Sequence, residues 1–425
     1  MAGGSLANAI AVQREKVRDV LPLLYERDDV FLKLVQVRGD IEKVSARLMR
    51  LPLQIRPGGK GRAVNLDGGD LGLGGFTLYD FATVTPQAFV FAFQWNKIIE
   101  YSTNTNEKAI AKLVPKEVKN AMAQFRVFLD QICQTSGNGV IGTISSISGQ
   151  QLTMANPPGA KLVYPTQDVQ VYDATITTNR GRITAAIVDV LNKQITPDPS
   201  TPLPAGTIAT DVLVYDGLTG AQPIGLFGIP YHQSNATTGT WLNMNRATYP
   251  VELRTPAVNL AGASVTPGAI MQTINFIRLQ MGGAQAGGGG KASKLMAYLP
   301  PEQGHAIRAL GIAISNIIKE GPGGGADDLE LNFTGKVTLY GAPEKQAIHA
   351  AANRIDFLDM SHWGRAEMKE IDLYESGGRT IFPVYGASGG ISAAELEYFV
   401  TAFQIWNDSP RSGGYMYNCA IPAGY

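Results

Sequence analysis

Cysteine is nearly absent: Cys133 and Cys419 are the only two in 425 residues. Two isolated thiols make neither a disulfide framework nor a zinc site, and they fit a reducing setting. Charge is also scarce. Only 17% of residues are charged, against about 25% in an ordinary soluble domain. A surface so short of charge fits one that is partly hidden against partners. Neither sign is in excess: Lys plus Arg and Asp plus Glu both number 36. No overall field therefore draws the chain to nucleic acid or to an anionic membrane. No window approaches about 20 consecutive apolar residues, so no membrane-spanning helix is expected. The start, "MAGGSLANAIAVQREKV", lacks a basic stretch followed by an apolar one and is not a signal peptide. The four histidines, at 232, 305, 349 and 362, include no i, i+4 pair on one helix. Zinc ligation is not expected, and neither is any other metal or cofactor.

Glycine and proline are plentiful, with 48 and 24 residues. They cluster in "RPGGKGRAVNLDGGDLGLGG", "GGAQAGGGGK" and "GPGGGADD", which read as loops. Residues 5–35 read as helical, broken at Pro22. A basic run follows, Arg47, Arg50, Arg56, Lys60 and Arg62, with no acid between them. It reads as a solvated or interface-lining arm, with nucleic-acid contact as the sharper alternative. Two strand-like runs, about 46–56 and 76–97, flank a Gly-rich middle and predict a long two-stranded projection. Phe89, Phe91, Phe93 and Trp95 fall at period two on one face. At about 150–250 Å² each, these aromatics must be covered, by the chain's own helix or by a neighbouring subunit.

"VPKEVKNAMAQFRVFLDQIC" is the clearest helix. Pro115 suits its first turn, and Val118, Met122, Phe125, Leu129 and Ile132 form one apolar stripe. Between about 139 and 217 short strands alternate with Gly, Pro and Asn turns, which predicts an all-β sandwich or barrel. Helices are expected over 266–282, with Thr266 as N-cap and Pro267 at N1, and over 300–321. Several strands follow, then a final helix in "SAAELEYFVTAFQIWND" and a terminal strand in "GGYMYNCAI".

The motifs that could carry chemistry fail on context. Gly386-Ala387-Ser388-Gly389-Gly390 matches the Gly-x-Ser-x-Gly nucleophile turn. The base histidine of that class follows the serine, whereas the last histidine here, His362, precedes it. Ser388 or Ser392 is expected instead to cap the following helix. "GGGGKAS" lacks the first glycine and the hydroxyl residue of a phosphate-binding loop and follows a helix. Asp356 and Asp359 read as surface or salt-bridged carboxylates. No enzyme is expected. The helical arm and projection cannot recover their ordering entropy, about 1–2 kcal/mol per residue, in isolation. Packing on neighbouring copies would recover it, and heterologous contacts of that kind build rings or shells.

In the order of its parts, essentially the whole chain resembles the tailed-bacteriophage major capsid proteins of the Hong Kong 97 (HK97) type. "IRPGGKGRAVNLDGGDLGLGGFTLYD" looks like their extended E-loop, and the 114–134 helix like the spine helix. "GNG" (137–139) and "QPIGLFGI" (222–229) look like two halves of one family element, separated by the all-β segment. "TTGTWLNMNRATYP" resembles a turn segment of these proteins, with Gly239, Trp241, Arg246 and Pro250 in similar roles. The resemblance implies an α+β HK97-like fold with an inserted all-β domain. Its parts would be an N-terminal arm (1–48), E-loop (49–85), P-domain with spine helix (86–136), β-insert (137–220), A-domain (221–345) and a return to the A- and P-domains (346–425).

The implied function is structural: hexamers and pentamers of an icosahedral phage head, assembled in the host cytoplasm and enclosing double-stranded DNA through weak, non-specific contact. Scaffolding, portal and decoration proteins are the further partners it allows, a scaffold being expected as a separate chain. An encapsulin-type nanocompartment is the alternative. Inter-subunit contacts are expected at Arg50, Arg56, Lys60, Arg62, Asp67, Asp70, Phe76, Tyr79, Trp241, Arg246 and Arg254. Arg246 is expected as a structural or inter-subunit ion-pair partner. The Thr/Asn/Gly tract that precedes it is expected to be a surface loop leading into the A-domain.

Overall fold

A computed structural model describes residues 29–38, 42–45, 47–63, 73–98, 113–155, 159–217, 225–281, 295–319, 338–339, 342–385 and 389–423. Of the N-terminal helical reading, only α1 (Val30–Leu34) falls within them. Then come β1 (Glu42–Ser45), β2 (Leu48–Arg56), β3 (Leu78–Val84), β4 (Gln87–Asn96) and α2 (Leu113–Ile132). Six strands follow: β5 (Val140–Ser148), β6 (Gln151–Met154), β7 (Asp168–Tyr172), β8 (Asn179–Asp189), β9 (Gln194–Pro197) and β10 (Val212–Tyr215). Next are α3 (Ile229–His232), β11 (Thr240–Trp241), β12 (Met244–Asn245), β13 (Ala257–Asn259), α4 (Pro267–Gln280), β14 (Leu295–Leu299) and α5 (Pro301–Lys319). The chain ends through β15 (Thr338–Leu339), β16 (Ala342–Gln346), β17 (Ile355–Asp359), β18 (Trp363–Leu373), β19 (Phe382–Tyr385), β20 (Ile391–Asn407) and β21 (Gly414–Tyr417).

Two compact units emerge. The smaller takes residues 1–32, 86–130 and 367–403. In it β4 pairs antiparallel with β20 from Ala394↔Asn96 to Phe403↔Gln87. The period-two aromatics of β4 share the face on which Phe399 and Phe403 lie. Phe89 meets Phe403 at 5.8 Å between ring centroids, and Phe93 stacks on Phe399 at 5.1 Å. The cover over this face is the chain's own α2, whose Phe125 lies 5.7 Å from Phe91 and 6.4 Å from Phe399.

Two expectations fail here. The segment expected as a final helix is the 17-residue strand β20. Its Ala, Glu and Leu favour a helix locally, but ten ladder positions with β4 override that preference. Ser392 therefore caps no helix; its Oγ accepts from Ala394 N at 2.9 Å. The run read as one strand over 76–97 is two, β3 and β4, interrupted at Thr85-Pro86, where proline cannot donate to a ladder.

The larger unit takes residues 33–85, 131–366 and 404–425. Strands β5 to β10 close into a barrel in the order β10-β5-β6-β9-β8-β7. Its core includes Ile141, Ile144, Leu152, Val169, Val171, Ile183, Ile195 and Leu213, all buried. A second, six-stranded sheet runs β13-β21-β17-β14-β16-β15. Thr266 caps α4 by accepting from Ala269 N, and Pro267 opens the helix. Ile270, Ile274 and Ile277 of α4 pack in one cluster with Leu295, Leu299, Phe357 and Met416.

The barrel's entry and exit meet. Gly225 N donates to Gly137 O at 2.7 Å, Gly228 N to Thr135 O at 3.2 Å and Ile229 N to Cys133 O at 2.9 Å. The "GNG" segment and the described part of "QPIGLFGI", residues 225–229, are thus adjacent in space. Both sides of this junction need glycine. Gly137 holds φ +93°, and a Cβ there would meet the Phe227 ring at 2.5 Å; one on Gly228 would lie 1.9 Å from Cys133 O.

Candidate functional site

The hairpin of β2 and β3 and the tract 231–253 carry most of the expected contact residues. The hairpin runs antiparallel from Met49↔Val84 to Arg56↔Leu78, so its side chains alternate between two faces. On the inner face Met49, Leu51, Ile55, Ala82 and Val84 are buried. They form one cluster with Trp241, Leu242, Met244 and Leu253. Trp241, Leu242, Met244 and Leu253 thus form a buried platform for the chain's own hairpin, while the Thr/Asn/Gly stretch at 236–240 is exposed.

A two-residue turn, Leu242-Asn243, joins β11 to β12 with φ +52° and +92°. Both angles positive is the type I′ geometry that suits a tight hairpin. The turn aims Asn243 at the hairpin, where its Oδ1 accepts from Thr83 N at 2.7 Å. Tyr249 donates its hydroxyl to Asp80 Oδ2 at 2.8 Å. Arg56 pairs with Glu252, and that contact holds the Glu252 carboxyl below its usual range.

Beneath the turn lies a buried polar chain. Trp241 Nε1 donates to His232 Nδ1 at 3.1 Å. His232 Nε2 is 3.1 Å from Ile405 O, so the ring proton belongs on Nε2, which donates to that carbonyl. Burial pushes the His232 pKa down to about 3, with Arg246 adding to the effect and the Ile405 carbonyl opposing it. The neutral ring also meets Trp363 edge-on at 5.4 Å. Arg246 donates Nη1 to Leu253 O at 2.6 Å and Nη2 to Tyr231 O at 3.1 Å.

Two expected contact residues are thereby corrected. Trp241 is 0% exposed and Arg246 4% exposed within the single chain, so neither presents a surface to a neighbour. The Arg246 guanidinium serves main-chain carbonyls rather than a carboxylate. The hairpin's outer face is different. Phe76 is 101% exposed and Tyr79 69% exposed, and the Arg50 guanidinium lies 4.6 Å over the Phe81 ring. Arg56, Lys60, Arg62 and Arg254 are exposed. Asp67, Asp70 and Ser388 lie outside the described residues.

Sequence reading missed His232, Asn243, Tyr249 and Glu252. Only the adjacent asparagine in "WLNMN" signals the tight turn; the partners of Tyr249 and Glu252, and the Ile405 carbonyl that His232 meets, lie far away in sequence. Asp356 and Asp359 are both buried, Asp356 against Arg354 Nη2 at 2.7 Å and Asp359 accepting from Ser361 Oγ at 2.6 Å. Among the described residues no group of three or more His, Cys, Asp or Glu could hold a metal, and no helix is long and apolar enough to cross a membrane.

No protein-family model matches the chain, and no curated protein does. Solved structures do. A chain of the native GTA particle capsid is 11% identical over 99% of this chain and 100% of its own, with a TM-score of 0.46. The SrpI encapsulin of Synechococcus elongatus PCC 7942 is 8% identical over 99% and 97%, with a TM-score of 0.44. A chain of the Cyanophage A-1(L) capsid asymmetric unit is 12% identical, over 96% of this chain and 97% of its own, with a TM-score of 0.57. Over the 96% of its length that is matched, this chain has the α+β fold of that phage capsid subunit.

Proposed function

We propose that this protein is the major capsid protein of a tailed phage, of HK97 type, and that it builds an icosahedral head from hexamers and pentamers of itself. One observation carries the reading. The hairpin at 48–84 has its inner face buried on a platform of the same chain, while Phe76 and Tyr79 stand exposed on it. Large apolar side chains exposed on a positioned projection mark a protein-binding surface. A second copy of a shell-forming fold supplies the partner.

In this reading the parts are the arm (1–48), E-loop (49–85), P-domain with α2 as its spine (86–136), β-insert (137–220), A-domain (221–345) and return (346–425). Arg50, Arg56, Lys60, Arg62, Asp67, Asp70, Phe76, Tyr79 and Arg254 contact neighbours. The meeting of Gly137 with Gly225 supports an inserted barrel. The lumen holds double-stranded DNA through weak contact, consistent with 36 basic and 36 acidic residues. Catalysis has no part in it.

Electron microscopy of the purified protein tests the proposal. Closed megadalton shells are expected, and a single small species would refute it. Nuclease-protected double-stranded DNA in shells from infected cells distinguishes a phage head from a nanocompartment. Labelling of Ser388 by a serine-reactive probe would reopen a hydrolase reading.

A further inference from the structure

The barrel's stalk is a narrow junction, closed by the backbone hydrogen bonds from Gly225 to Gly137, Gly228 to Thr135 and Ile229 to Cys133. A second attachment lies on the barrel's flank. The 3-10 turn Gly159–Leu162 brings Lys161 Nζ onto Glu302 Oε1, in the first turn of α5. The two side chains are 13% and 9% exposed. The turn is tied to the barrel wall, since Tyr215 of β10 donates its hydroxyl to Leu162 O at 3.0 Å. On the other side Gln131 Nε2 donates to Lys161 O at 3.4 Å. Glu302 sits at a helix N-terminus, where a carboxylate is favoured. Burial lowers the Lys161 pKa, and Glu302 works against that shift.

Two charges withdrawn from water are stable there only together; separating them leaves each buried without its counter-charge. Such a pair is a directional restraint rather than a source of net stability. We propose that Lys161–Glu302 is the clasp that sets the barrel's direction on the six-stranded sheet. With the pair intact, barrel and sheet move as one piece. With it broken, the barrel stays folded and its direction is held by the narrow stalk alone. This inference is independent of the shell reading, because it concerns a single chain.

Spin labels placed on Leu191→Cys, at the barrel's β8–β9 tip, and on Val251→Cys report the distance between barrel and platform. Both positions are exposed, and the native thiols Cys133 and Cys419 are buried. In the unassembled full chain, pulsed dipolar spectroscopy is expected to give one narrow distance distribution. Lys161→Met should broaden it at least twofold, while hydrogen exchange at Val169, Val171, Ile183 and Leu213 stays protected. Should Lys161→Met not fold, Glu302→Gln, which keeps the shape of the side chain, carries the same expectation. An unchanged width in the variant that folds overturns the clasp. So does a broad distribution in which the barrel core has lost its protection, since the barrel is then unfolding rather than swinging.

Discussion

Trp241 donates its indole N–H to His232 Nδ1 across 3.1 Å, with both residues buried. The bond fixes the His232 tautomer and anchors the tight turn beneath the hairpin. Trp241→Phe keeps an aromatic ring but strips the acceptor of its donor. The expected cost is about 1–3 kcal/mol of stability, read by urea unfolding.

Acid acts on the same pair. The His232 pKa falls from 6.5 to about 3 on folding, so below pH 6.5 the unfolded chain holds the extra proton. Stability from this group is complete above pH 6.5 and lost as pH falls towards 3, at about 1.4 kcal/mol per pH unit. His362 has the opposite sign. Burial lowers its pKa, but the Asp408 and Asp359 carboxylates outweigh burial and raise it, so its contribution is present below 6.5 and fades above. Unfolding midpoints between pH 4 and 6.5 should fall steeply in the parent and less so in His232→Gln.

Arg246 bridges Leu253 O and Tyr231 O. Removing it orphans two carbonyls in a buried site. Arg246→Ala is expected to cost about 2–4 kcal/mol. Arg246→Lys should recover less than half of that, because one ammonium cannot replace the planar fork. Thermal unfolding of the three proteins checks the order.

The elements with a clean local period were legible. The stripe through Phe125 marked α2, Thr266-Pro267 marked the start of α4, and the alternation Phe89–Trp95 marked β4. β20 was not legible. Phe399 through Asn407 is almost wholly buried, so burial there leaves no period-two trace, and Glu395 and Glu397 lie on the face shared with the aromatics. The platform was hidden for another reason. Arg246 and Trp241 look like surface contact residues until the backbone carbonyls and the histidine that receive their donors are brought beside them. Those partners, His232, Leu253 and Tyr231, lie within 15 residues, but the irregular path of the tract that brings them together has no period to announce it.

The aromatic face of the smaller unit depends on Phe125, which lies within 6.4 Å of both Phe91 and Phe399. Phe125→Ala is expected to cost about 3–5 kcal/mol. Hydrogen exchange should speed up in β4 and β20 while the barrel strands keep their protection.

The hairpin's outer face makes the converse prediction. Phe76→Ser with Tyr79→Ser should leave chain stability within about 0.5 kcal/mol, since neither side chain is buried. Shell yield, measured by sedimentation, should fall sharply. Normal shells from this variant would show that these side chains are not the contact.

The hydrogen bond from Gly225 to Gly137 also has a kinetic consequence. The whole barrel lies between its two partners, so closing it over an unfolded segment carries the loop-closure entropy of that length. Three of the barrel's six strand pairings join consecutive strands, and such local contacts form early. Once the β10–β5 pairing has closed the barrel on these contacts, the two glycines are already neighbours and the remaining body folds across a short gap. A lesion inside the barrel will therefore register first as slow maturation of the body around Cys133 and Ile229, well before it lowers the stability of the finished subunit.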